Sequence, residues 1–167
     1  MSTEKKKTAI KIFAKLYTDS RDKEKMAAKY ISSTYMPYAL KMAEARRIVE
    51  RSSNVEVDGK QMFSISSPMR WVLYVVSVIT NYTSLEFSSD VMADFDMLNA
   101  SGAIETIFAI IGKDLDEFNT VLNMTFDDYL RNNRDVVTFL ENKFMALGAL
   151  IDSIDTAALE QAMEEEK

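Results

Sequence analysis

The sequence has no cysteine and no histidine in 167 residues, and only 4 glycines and 2 prolines. Without cysteine there is no disulfide, no thiol nucleophile and no thiolate metal site. Without histidine the commonest general base, the Ser–His–Asp triad and nearly all zinc sites are excluded. Glycine is too scarce for a phosphate-cradling loop, and neither a G-x-S-x-G elbow nor a dinucleotide fingerprint occurs. The longest apolar run covers residues 71–79, interrupted only by Ser77. A membrane span needs about 20 such residues. The first seven residues are polar and the next ten carry lysines, so no signal peptide is read. A soluble, cytoplasmic protein is expected.

What is present is a core-forming composition. The chain is 47% apolar and 28% charged, which separates it from disordered sequences and suffices for one hydrophobic core. The net charge of −6 is unevenly placed. Residues 1–51 hold 13 Lys/Arg against 6 Asp/Glu, and residues 52–167 hold 7 against 20.

The apolar residues recur mostly at helical spacing. Residues 8–17 align Ala9, Ile10, Phe13, Leu16 and Tyr17 on one face. Thr18, Asp19 and Ser20 then offer capping side chains for a second helix over 21–32, with Met26, Ala27 and Tyr30 inward. Pro37 suits the first turn of a third helix running to about Arg51, whose apolar residues are Leu40, Met42, Ala45, Ile48 and Val49. From Val55 to Phe63 the pattern changes to a small β-hairpin, since Asp58-Gly59 favours a type I′ turn between β-branched and aromatic flanks. Ser66 and Pro68 open a helix over 69–82 that is apolar on nearly every side, as a central core helix or one in an oligomer interface would be.

Four further stripes follow. Ser88 and Ser89 cap the one carrying Val91, Met92, Phe95 and Leu98. Gly102 marks a turn before Ile104, Ile107, Phe108 and Ile111, and Gly112 ends that helix. Asp114, Asp116 and Glu117 place acid in the first turn of the next, with Asp114 and Glu117 at capping-box spacing ahead of Leu115, Phe118, Val121, Leu122, Phe126 and Tyr129. Asn132 and Asn133 interrupt, and Val136, Val137, Leu140, Phe144, Leu147 and Leu150 form the last long stripe. A short helix over 155–163 and an acidic tail close the sequence. The expected fold is mainly α: a compact multi-helix bundle with one small hairpin. It divides into an amphipathic arm over 1–18, a helical core over 19–152 and a tail over 153–167.

Candidates for chemistry are few. Asp94, Asp96 and Glu105 stand at EF-hand spacing, but Leu98 and Asn99 occupy positions that need an oxygen ligand and a glycine. Asp127 and Asp128 are contiguous, so on a helix they diverge by about 100°. No catalytic, cofactor-binding or metal-binding residue is assigned, and no cofactor is expected. The 11 methionines fill irregular cores or form adaptable binding surfaces. The basic cluster of Lys5, Lys6, Lys7, Lys11 and Lys15 would suit phosphates, an acidic partner, or the acidic half of another copy of the chain.

The stretches Pro68-Met69-Arg70-Trp71-Val72-Leu73-Tyr74-Val75-Val76-Ser77, Tyr82-Thr83-Ser84-Leu85-Glu86-Phe87, Asp94-Phe95-Asp96-Met97-Leu98-Asn99 and Glu117-Phe118-Asn119-Thr120-Val121-Leu122-Asn123-Met124, with Asp127-Asp128, resemble a group of small helical proteins from tailed phages of Gram-positive bacteria. The resemblance spans residues 29–150. It implies a role in phage morphogenesis, first as a tail assembly chaperone that holds tail-tube or tape-measure subunits. It is one of sequence style and transfers no functional residue.

The expectation is therefore a non-enzymatic, homo-oligomeric protein that binds other proteins and neither nucleic acid nor membrane. Its partner-binding residues are expected to be Ile10, Phe13, Leu16, Tyr17, Met62, Phe63 and Trp71. The alternatives from other classes are an acidic anti-defence inhibitor that mimics nucleic acid, and a nucleic-acid-binding module using residues 1–51.

Overall fold

A computed structural model describes residues 7–57, 60–133 and 144 of the chain. Contacts divide the chain into two units, residues 1–127 and 128–167, and the fold set out here is that of the first. In chain order it comprises β1 (Thr8–Ala9), α1 (Ile10–Asp19), α2 (Lys23–Ala28), α3 (Tyr38–Ser53), β2 (Asn54–Val57), β3 (Lys60–Phe63), α4 (Ser67–Tyr82), β4 (Leu85–Glu86), α5 (Val91–Ala100) and α6 (Ala103–Ile111). The last helix, α7 (Lys113–Asn133), begins in the first unit and runs on into the second. The expected mainly α fold is what the described residues adopt.

The long apolar stretch forms α4, as its cap foretold. Ser66 accepts from the Met69 amide at 3.3 Å, and Pro68 sits in the first turn where its missing N–H costs nothing. Val75, Val78, Ile79 and Tyr82 on this helix have no exposed surface. Ile48 and Val49 of the adjoining α3, Leu98 of the adjoining α5, Ile104 and Ile107 of α6, and Phe118 of α7, whose ring meets Tyr74 of α4, are buried as well. At about 1.5–3 kcal/mol per large side chain, this burial is what offsets chain entropy here.

Of the arm expected over residues 1–18, the described part, residues 7–18, packs into the core. Ile10, Phe13 and Tyr17 of α1 are at most 2% exposed, so the helix is one wall of the core. The Phe13 ring meets Tyr30 edge-on at 5.0 Å, and the Tyr17 hydroxyl shares a 2.7 Å hydrogen bond with Thr106. Backbone pairing fixes the entry to α1. Thr8 and Ala9 pair in parallel with Leu85 and Glu86, and the Thr8 amide donates to the Ser84 carbonyl at 2.8 Å.

The second helix ends at Ala28, short of the expected Ser32. The reason is tertiary. The Ser32 amide donates to the Tyr82 carbonyl and the Ser84 amide to the Tyr30 carbonyl, both at 2.8 Å. Residues 30–32 leave the helix to pair with the chain that exits α4, joining Ile31 to Thr83 in an antiparallel bridge. The start of α5 also shifts by a residue or two. Asp90, not Ser88 or Ser89, accepts from the Ala93 amide at 3.1 Å, while the Ser88 hydroxyl accepts from the Asp90 amide.

The hairpin forms as expected between β2 and β3, with Asn54 opposite Phe63 and Val57 opposite Lys60. That register leaves Asp58 and Gly59 as the connection, and both lie outside the described residues. The stripe from Val136 to Leu150 and the segment over 155–163 lie outside them as well, apart from Phe144. So does the boundary expected near residue 152.

Two glycines carry backbone that other residues avoid. Gly102 starts α6 with φ 72° and ψ 16°, a left-handed conformation. Gly112 ends it with φ 67° and ψ −130°, a region almost restricted to glycine. A Cβ at Gly112 would stand 3.9 Å from the Ala109 carbonyl oxygen, so space is adequate and the cost is conformational. Gly112→Ala is expected to destabilise the protein by about 2–3 kcal/mol and Gly102→Ala by about 1 kcal/mol. Urea denaturation of the two variants beside the parent chain checks the order.

Candidate functional site

The most polar place in the interior lies where α3, α4 and α7 meet. Lys41 projects from the buried face of α3, in line with Ala45, Ile48 and Ser52 at intervals of 3 and 4 residues, and has no exposed surface. Its ammonium donates to Asp114 at 2.7 Å and also to Glu117. Asp114 is held from two further sides of the fold. It accepts from the Tyr82 hydroxyl at 2.6 Å and from the Met36 amide at 2.9 Å, besides Lys41. The Tyr35 ring lies over the ammonium at 5.4 Å.

The electrostatics follow from this geometry. Burial works against charge on Lys41, but the bonds to Asp114 and Glu117 outweigh it and hold its pKa above the ordinary value of 10.5. Burial likewise opposes ionised Asp114, but Lys41, Tyr82 and the Met36 amide hold its carboxyl below 3.8. The Tyr82 hydroxyl is pushed well above 10.0 by burial and by its bond to Asp114. Tyr74, buried and near Asp116, is raised to about 12. Lys41, Asp114 and Tyr82 are engaged with one another, which makes the cluster a lock between helices.

Two features of this region depart from the local pattern. Leu40 and Met42, counted among the apolar residues of this helix, are 39% and 48% exposed, and the buried residue between them is Lys41. A charge is admitted because two carboxylates arrive with α7. Asp114 and Glu117, read as a capping box, instead turn to Lys41, since α7 begins one residue ahead of Asp114.

The residues expected to bind a partner divide three ways. Ile10, Phe13 and Tyr17 are buried, so they form core and present nothing to a partner. The apolar face of α1 is the inward face, and amphipathic spacing alone does not say whether such a face meets its own core or another molecule. Leu16 and Trp71 are 42% and 47% exposed. Met62 and Phe63 belong to β3, and their side chains lie outside the described residues.

Trp71 does not stand alone. Its ring stacks on Tyr74 at 5.9 Å and meets Phe108 edge-on at the same distance. Together they floor an open groove of about 520 Å³, rimmed by Lys113, Asp116 and Asn119. Of the three, Trp71 is an expected partner-binding residue, Tyr74 is 6% exposed and belongs to the core, and Phe108 comes from the apolar stripe of α6. Their convergence from α4 and α6 had no signal in the local pattern. Ile12, 57% exposed and one turn before Leu16, is one of several other exposed apolar side chains that local spacing did not mark, with Tyr35 and Met124.

Among the described residues no group of three acidic side chains is placed to hold a metal ion. No described helix is long and apolar enough to cross a membrane. No protein family, curated protein or solved structure matches the chain.

The lock generates two predictions. Lys41→Met keeps the volume but leaves Asp114 without its cation, and should cost about 3–5 kcal/mol. Glu117 is 52% exposed, so Glu117→Gln should cost no more than about 1 kcal/mol. Urea midpoints at neutral pH test both. The pH dependence has a definite sign. Asp114, depressed in the folded state, adds stability that is present above its unfolded value of 3.8 and lost as pH falls through the folded pKa. Lys41, raised in the folded state, adds stability that is complete below 10.5 and lost as pH climbs through the folded pKa. Midpoints measured across the range should be flat between, and Lys41→Met should weaken the decline on both sides.

Proposed function

We propose that this protein is a non-enzymatic protein-binding factor of phage morphogenesis, acting in the cytoplasm as a tail assembly chaperone. The observation that carries the protein-binding part is the open aromatic groove of Trp71, Tyr74 and Phe108. Aromatic anchors in an accessible groove are the common currency of protein recognition. Its floor is apolar and its rim holds one cation, one carboxylate and one amide, which suits an apolar side chain presented on a helix or loop. The phage part rests on the resemblance carried by residues 68–77, 82–87, 94–99 and 117–124. A binding role, as opposed to catalysis, is favoured by the state of the perturbed groups, because Lys41, Asp114 and Tyr82 are all committed to one another.

The nucleic-acid mimic is less well supported. It needs a continuous face of free carboxylates, yet Glu44 pairs with Arg47 and Ser77, Asp94 accepts from the Ser88 amide at 2.5 Å, and Asp114 faces inward.

Trp71 is the sole tryptophan, so its emission reports on the groove directly. On titration with purified tail-tube or tape-measure subunits, the emission should shift to the blue and saturate. Trp71→Ala should lower retention of the same subunits in a co-expression pull-down about tenfold or more. Unchanged emission together with no retention at low salt would reject the reading.

A further inference from the structure

The outward side of α1 carries a second groove, and its chemistry differs from that of the Trp71 groove. It is open, has a volume of about 610 Å³, and runs between α1 and α5. Lys11 and Lys15 form one wall, and Ala14, Met97 and Ala100 give it an apolar lining. Both lysines are exposed, and among the described residues neither is in an ion pair. Lys23 also lines the groove, but its ammonium is bonded to the Tyr17 and Thr18 carbonyls at 2.5 and 2.8 Å. Asp19 is the single carboxylate in the lining. The surface thus offers two unengaged cations one helical turn apart, about 6 Å along the axis, beside small apolar side chains.

The complementary pattern exists in this same chain. Residues 155–166 contain Glu160 and Glu164, four apart, next to Leu159 and Met163, also four apart. Each acid follows an apolar residue by one position, so a helical reading sets a row of two carboxylates beside a row of two apolar side chains. That matches two ammonium groups beside an apolar strip in both spacing and sign. The wider charge distribution points the same way, with residues 1–51 basic and residues 52–167 strongly acidic.

We propose that the α1–α5 groove receives the acidic segment 155–166 of a second copy of the chain, with Glu160 and Glu164 on Lys11 and Lys15. The contact joins unlike surfaces, so it is made either reciprocally in a two-fold dimer or head to tail in a ring or filament. This inference does not rest on the assembly role proposed above and stands or falls by itself.

The test uses the full chain and its mass in solution by sedimentation. At about 50 mM salt the protein should associate in a concentration-dependent way, and raising salt to about 500 mM should weaken association roughly tenfold. Lys11→Glu/Lys15→Glu should sediment as a monomer with an unchanged thermal midpoint, because both side chains are exposed. Glu160→Lys/Glu164→Lys should also be monomeric. Mixing the two charge-reversed variants should restore association, since each then supplies the surface its partner lacks. That rescue separates pairing in trans from a general effect of charge. A monomer at every concentration in low salt, association that survives both reversals, or a mixture that stays monomeric would each overturn the proposal. Loss of association with full retention of tail subunits by the Trp71 groove would leave the functional reading intact, so the two failures are distinguishable.

Discussion

A lysine with no exposed surface is the constraint around which this fold is arranged. Lys41 brings an ammonium into an interior made mostly of aliphatic and aromatic groups. Removing such a charge from water costs several kcal/mol, and only close, correctly placed acceptors offset it. Asp114 supplies one at 2.7 Å, and is itself held by Tyr82 and the Met36 amide. Four parts of the chain are thereby tied at one point: the loop before α3, α3 itself, the end of α4 and the first turn of α7. Apolar packing would tolerate small rotations among these helices. A charged centre with defined donors does not, because any slip leaves a buried ion without a partner.

The lock also explains the surfaces. With Lys41 inward, α3 is turned so that Tyr38, Leu40 and Met42 are exposed. With the start of α7 anchored by Asp114, Lys113, Asp116 and Asn119 stand at the rim of the groove floored by Trp71, Tyr74 and Phe108. The Tyr74 hydroxyl donates to the Leu115 carbonyl at 3.4 Å, which links the groove floor to the same helical turn. Binding surface and interior charge are neighbours in the structure, although the residues that form them are scattered from position 36 to position 119.

Local patterns foretold the elements where local physics was sufficient. The Ser66 cap with Pro68 started α4, Gly112 ended α6, and Asp58-Gly59 sat between paired strands. They failed where distant partners intervened. Residues 30–32 continue a helical pattern, yet they bond to the chain leaving α4. Leu40 and Met42 have the hydropathy of core residues, yet Lys41 takes the inward position. At the candidate site the sequence named Trp71 and Leu16 among accessible residues, but it also named Ile10, Phe13 and Tyr17, which are core. An amphipathic stripe records that one face avoids water. It carries no information on what covers that face.

Composition and periodicity, then, determined a mainly helical chain lacking thiol and imidazole chemistry, with α4 at the centre of its core and its charge divided between a basic first third and an acidic remainder. Those properties depend on residues close in sequence or on sums over it. Tertiary structure alone decided that a lysine would be buried, that two acids in the first turn of α7 would hold it, and which apolar faces would remain open. Each of those outcomes depends on groups up to 78 residues apart, as between Met36 and Asp114, being brought within hydrogen-bond range. The energy of a buried charge is set by such neighbours, and no local window of sequence contains them.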